Sequence, residues 1–179
     1  MNKKSLYLIV SALVIVIVAA SAGVLLLQQN NSNPNQPTTT PTPTPVPVNI
    51  PAASSLAFSV NDTSKGTTTT YRFTADNMGT PNVDLRVEVP GCDAGLSYVY
   101  LFNAATRSAY NQTNGGQWVT DDFNTAWPLW GNMWSTYVNQ LNTWNSTAQY
   151  SYTASNGDPI IIFDISVNPS LPASTFQAT

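Results

Sequence analysis

The chain has 179 residues, 42% of them apolar and only 8% charged, with no His, one Cys and a formal net charge of −3. Soluble domains average about 25% charged residues, so solubility here falls to Thr, Ser, Asn and Gln. Six basic residues in an acidic chain leave no stripe to neutralise phosphates, which argues against nucleic-acid binding. The lack of His removes the commonest general base and metal ligand, and a lone Cys forms neither an internal disulfide nor a thiolate-rich zinc site.

Residues 5–27 (SLYLIVSALVIVIVAASAGVLLL) run without a charge or a side-chain amide, directly after Lys3 and Lys4. At about 1.5 Å per residue they are long enough to cross a hydrocarbon layer of about 30 Å. The lysines orient the N-terminus to the cytoplasm and everything after Leu27 to the outside. Ala20-Ser21-Ala22 fits a signal-peptidase site, but Val24 to Leu27 prolong the apolar run beyond it, as an uncleaved anchor requires. A single-pass cell-membrane protein with an extracytoplasmic domain is therefore expected. Residues 28–54 carry seven of the thirteen prolines and no charge, and the Thr-Pro alternation from Thr40 to Pro45 predicts an extended polyproline spacer. Four Asn-x-Ser/Thr sequons, at Asn30, Asn61, Asn111 and Asn145, are candidate glycosylation sites.

From residue 55 to 179 the chain is one domain's worth of sequence, holding all five Trp, all six Phe and seven of the eight Tyr. Its four basic residues stand against nine acidic ones, a net −5. Alternation dominates. Leu56, Phe58 and Val60 alternate with small or polar neighbours, Tyr71 and Phe73 flank Arg72, and Val83, Leu85, Val87 and Val89 interleave with Asp84, Arg86 and Glu88. Leu96 to Phe102 is apolar on both faces, as in a strand covered twice. Weaker strands fall at 107–112 and 117–120 around Asn114-Gly115-Gly116, and a terminal hairpin pairs 148–154 with 159–167 through Ser155-Asn156-Gly157-Asp158, with positive φ expected at both Asn156 and Gly157. The sum is about seven antiparallel strands, a β-rich α+β domain.

One segment has the helical period instead. Phe123, Trp127, Trp130, Trp134, Tyr137, Leu141 and Trp144 are spaced by alternating steps of four and three. Asp121 or Asp122 caps the start, and Pro128 with Gly131 predict a short first turn, a kink or fresh start, and a main helix over roughly 129–144.

Three stretches resemble the extracytoplasmic lipoprotein-carrier superfamily of the LolA and LppX types. They are Val83 to Val89 with its central Arg86, Ser97 to Phe102 followed by Tyr110 and Gly115-Gly116-Gln117-Trp118, and the closing segment from Asp164 to Phe176. The resemblance spans roughly residues 55–178 and implies a curled antiparallel half barrel with helical material packed on its concave face around an apolar cavity. The chain departs from that pattern in its helix anchor, its proline spacer and its one long helical segment, and a tethered domain does not shuttle cargo between membranes.

Two readings of the aromatic helix follow. In one its stripe is solid core; in the other it lids a pocket facing Tyr98, Tyr100 and Phe102, with Phe123, Trp127, Trp130, Trp134, Tyr137, Leu141 and Trp144 as the ligand-binding surface for a lipid or lipid-linked molecule. A non-enzymatic cell-surface structural or adhesive module with a solid core is the alternative. No catalytic residue, cofactor or metal ligand is assigned: Asp121 and Asp122 read as a helix cap, because no second cluster of acids lies near them in sequence. Arg86 is expected on a wet face, paired with Asp84 or Glu88 across strands, and Cys92 as an inert small residue near a strand end or a dimer-forming thiol.

Overall fold

The computed structural model describes residues 47–179 apart from 65, 93 and 94. The expected membrane span 5–27, most of the proline-rich spacer and the sequon at Asn30 lie outside the described residues. Among the described residues no helix is long and apolar enough to cross a membrane.

Eight strands form one open antiparallel sheet: β1 (Leu56–Ser64), β2 (Thr67–Asp76), β3 (Asp84–Cys92), β4 (Leu96–Asn103), β5 (Ser108–Thr113), β6 (Val119–Asp121), β7 (Tyr150–Thr153) and β8 (Pro159–Val167). The order across the sheet is β6-β5-β4-β3-β2-β1-β8-β7. The mainly β class with one packed helix stands as expected, and the strand count rises from about seven to eight. From β1 to β6 each strand pairs with its neighbour in sequence, and β8 then returns to the free side of β1 with β7 outside it. This topology puts β6 and β7 on opposite edges, so the chain between them has to cross the sheet. The helix α1 (Phe123–Leu141) makes that crossing. Its 19 residues span roughly 28 Å at about 1.5 Å per residue, against roughly 34 Å for eight strands at about 4.8 Å spacing, and the short connections supply the rest.

Asp122 caps α1, its carboxylate accepting from the Asn124 amide at 3.1 Å and the Thr125 hydroxyl at 2.6 Å. Those bonds, the hydroxyl's first, hold its carboxyl below the usual carboxylate range. Asp121 instead accepts from Asn111 Nδ2. The break expected at Pro128 does not occur: α1 runs through it. Asn124, whose carbonyl loses a donor to the proline, and Pro128 itself are both exposed, so the missing bond falls on the solvent side of the helix, while buried Ala126 and Trp130 on either side hold the axis to the sheet. Gly131 is likewise no start signal. A Cβ there would meet Trp127 at 2.8 Å, so the glycine exists to let that indole lie on the helix backbone. The helix stops at Leu141, three residues earlier than the stripe suggests, leaving Trp144 in the following loop.

Turn chemistry is exchanged between the two Asn-Gly sites. Asn114 and Gly115 both take positive φ (49° and 67°), the primed turn between β5 and β6. In the β7–β8 loop only Gly157 does (92°), contrary to the expectation for Asn156, and the Ala154 amide donates to the Asp158 carbonyl at 2.8 Å. The domain also begins upstream of residue 55. Ile50 is fully buried in the core, and Val48 donates to the Asn145 carbonyl at 3.0 Å, so the last residues assigned to the spacer are part of the folded unit.

The helix-facing side of the sheet carries Leu56, Phe58, Val60, Phe73, Leu85, Val87, Phe102, Ile160 and Ile162. An extra residue in β8 keeps that side apolar to its end: the β1–β8 register shifts between Ala57 and Ser59, Asp164 takes φ 54°, and Ile165 turns inward. The other side is polar near Arg72 and Thr74 but is not wholly wet. The C-terminal turn Ala173–Phe176 packs on β3 and β4, Leu101 beneath that region is 2% exposed, and Arg86 donates to the Thr175 carbonyl at 3.2 Å. Arg86 pairs with Glu88 along its own strand, at 2.7 Å, and not across strands; Arg72 reaches the same carboxylate from β2 at 3.8 Å. Cys92 closes β3, half-buried against the core.

Replacing a helical glycine with alanine ordinarily gains about 1 kcal/mol. Gly131→Ala is expected to lose stability instead, by about 1–3 kcal/mol, because the clamped Trp127 ring has to move; chemical denaturation read by tryptophan fluorescence checks the sign.

Candidate functional site

Because α1 crosses the strands, the contacts of its aromatic stripe move from β4 to β2 and β1 along its length. Near its start Phe123 and Trp127 lie on Phe102 of β4, with centroids 6.4 and 5.7 Å apart. One turn on, Trp130 packs against Tyr100 at 4.6 Å and Tyr71 at 6.3 Å. Trp134 stacks on Phe58 at 5.3 Å and touches Phe73 at 6.1 Å. Tyr137 meets Phe73 edge-on at 5.6 Å, and Leu141 is fully buried. The ring contacts thus form two groups, Phe102 with Phe123 and Trp127, and Trp130, Trp134 and Tyr137 with Tyr100, which Tyr98 joins at 6.3 Å, while Leu141 lies in the same hydrophobic core. Trp144 packs at the edge of that core but outside both ring groups. Its indole packs on Tyr150 at 5.3 Å and donates to the Ala148 carbonyl at 3.0 Å, which pins the loop after the helix.

The rings on α1 point into the sheet and contact its rings directly. Phe58, Phe73 and Tyr71, which complete the set from β1 and β2, were not singled out by sequence. Their alternation marks them as buried, but nothing local says that they meet Trp130 and Trp134.

A cleft of about 420 Å³ opens at the first turn of α1, lined in part by Val83, Ala104, Arg107, Asn124, Trp127 and Pro128. The Arg107 guanidinium lies 5.1 Å from the Phe123 ring centre and donates to the Asn124 side chain. Phe123 in turn stacks on Trp127 at 5.3 Å and 10°, and Trp127 rests on Gly131. Arg107, Phe123, Trp127 and Gly131 thus form one continuous pile in which both faces of the indole are already covered. The cleft offers ring edges, an apolar rim and the remaining guanidinium donors, but no free aromatic face.

At the other end of α1 the Tyr137 hydroxyl donates to Asp62 of β1. Burial, then the negative charge of Asp158, push the Asp62 carboxyl above the usual range, and the Tyr137 bond opposes them. Burial and Asp62 likewise raise the Tyr137 phenol, and they push the Tyr152 phenol up to about 12. Sequence reasoning passed over both acids, since Asp62 sits inside a sequon and Asp158 inside a turn.

Of the sequons described, Asn145 is exposed, whereas Asn61 accepts from Thr70 at 2.9 Å and Asn111 donates to Asp121 at 3.1 Å. No family model, no curated protein and no solved structure matches this chain.

Removing the ring at the centre of the stack tests its weight. Trp134→Ala is expected to cost about 3–5 kcal/mol, seen as a lowered melting temperature with loss of the near-ultraviolet circular dichroism of the aromatic cluster.

Proposed function

We propose that this chain is a non-enzymatic, surface-displayed binding module, held by residues 5–27 in the cell membrane and spaced from it by the proline-rich stretch. The observation that carries this reading is the direct ring-to-ring packing of α1 on the sheet, from Phe102 through Tyr100 and Phe73 to Phe58. It leaves the ligand-accessible feature at the rim, in the Arg107–Asn124 cleft. A cleft of that size, with a guanidinium, an amide and an apolar edge, suits a hydroxylated or acidic sugar unit of a surface polymer held by hydrogen bonds. The covered faces of Trp127 argue against a sugar ring stacked on the indole.

A second reading keeps the carrier-like half barrel with a lipid between sheet and helix. The same cleft favours it, because Val83, Ala104, Phe123 and Pro128 would let an acyl chain start inward there. The two readings separate in one preparation. The domain from residue 47 onward, purified without added lipid, is expected to release no stoichiometric lipid on extraction and mass spectrometry, and to take up no apolar dye. On a glycan array it is expected to bind acidic or hydroxylated sugars, about tenfold more weakly after Arg107→Ala, the loss of a charge-assisted hydrogen bond. One lipid retained per chain, or glycan binding indifferent to Arg107, would overturn the first reading.

A further inference from the structure

The strands meet at a second place where side chains of one chemistry converge. In the β1–β8 ladder Asp62 lies opposite Ile160. Carrying that antiparallel register two residues further sets Ser64 opposite position 158. Side chains two apart on a strand share a face, so Asp62, Ser64 and Asp158 gather on the helix side of the sheet, next to Tyr137 of α1 and Tyr152 of β7, the latter paired with Ile160.

Three oxygens in this group, Asp62 Oδ1, Ser64 Oγ and Asp158 Oδ1, are shut off from solvent and have no hydrogen-bond partner among the described residues. Asp158 as a whole is only 3% exposed. Its other oxygen, Oδ2, accepts from Asn156 Nδ2 at 2.7 Å, and its backbone amide donates to Asn156 Oδ1 at 3.1 Å, so the β7–β8 loop fixes the carboxylate from behind. Buried polar atoms are almost always paired, and buried carboxylates are paired with a cation or ligate a metal. The described cations are committed elsewhere: Arg72 and Arg86 share Glu88 on the opposite side of the sheet, and Arg107 covers Phe123 at the far end of α1.

We propose that Asp62, Ser64 and Asp158 bind a calcium ion at the end of the sheet where β1 meets the β7–β8 loop. The donor set is all oxygen, two carboxylates and a hydroxyl, which selects a hard cation over zinc or copper. Two carboxylates neutralise one divalent charge. Calcium's tolerance of irregular geometry suits ligands from two strands and a loop better than the strict octahedron of magnesium. With only two formal charges the site belongs to the weak class, with a dissociation constant on the order of 0.1–1 mM.

The full chain, stripped with a chelator, is to be melted across a calcium chloride titration, with terbium(III) emission sensitised by Tyr137 and Tyr152 as the direct probe. Calcium is expected to raise the melting temperature saturably in that range and to displace terbium, with magnesium far less effective. Asp62→Asn and Asp158→Asn each keep the shape of the pair and lower its charge, so each variant is expected to fold in chelator at least as stably as the parent and to lose both the calcium shift and the terbium signal. Lys65→Gln is expected to keep both. No calcium or terbium response in the parent, a response that survives both Asn substitutions, or a Lys65→Gln chain that is destabilised in chelator while the parent ignores calcium would overturn the proposal; the last result would make the Lys65 ammonium the cation that serves the two carboxylates. None of these outcomes depends on the ligand taken by the Arg107 cleft.

Discussion

The structure depends on one constraint: the segment between β6 and β7 has to cross the whole width of the sheet. The strand order sets this, because the meander ends at one edge while the returning hairpin adds to the other. A helix is the conformation that makes the crossing while satisfying its own backbone, and it buries apolar surface only if its stripe faces the strands. Phe123, Trp130, Trp134, Tyr137 and Leu141 do so, and each finds the strand that lies beneath its turn. The sheet's apolar residues are thus matched to the helix by position along a diagonal, which explains why the large rings on the strands run from Phe102 on β4 to Phe58 on β1.

The same crossing places the two chemically distinctive regions. Where α1 enters, its first turn, the β4–β5 turn and the β2–β3 connection leave a cleft that is bordered by Arg107 and Asn124 and stiffened by the pile of Arg107, Phe123, Trp127 and Gly131. Where it leaves, Tyr137 reaches Asp62 and the charge of Asp158 is felt. Between them the rings pack on one another. On the helix side of the sheet, polar chemistry lies at the two ends of α1, while the Arg72, Arg86 and Glu88 network occupies the opposite side.

Local devices keep this arrangement closed. Both edge strands are short, three residues in β6 and four in β7, which limits edge-to-edge pairing. Asn168, at φ 52°, accepts from the Ser54 amide at 2.8 Å and so ties the end of β8 to the entry of β1. The C-terminal turn covers the far side of β3 and β4 and takes a guanidinium hydrogen bond from Arg86, so a strand face that alternation marks as wet is half sheltered.

The sequence alone determines the strands, the helical stripe, its Asp122 cap and the mainly β class, because alternation, a period near 3.5 and turn residues are local signals set by which face of an element is buried. It also marks the aromatic residues that come together, since a stripe of Trp at helical spacing has to be buried somewhere. Only the tertiary structure decides what each ring touches. Pro128 and Gly131 read locally as breakers, yet the helix continues, because packing on the sheet outweighs one missing hydrogen bond and the glycine is needed for the Trp127 ring. Trp144 continues the period but leaves the helix to anchor a loop. Ile50 looks like spacer and is core. Asp62 and Asp158 are far apart in sequence and unremarkable there; they become a pair only because β8 returns to lie beside β1, and the register of that non-local pairing is written in no local stretch of the chain.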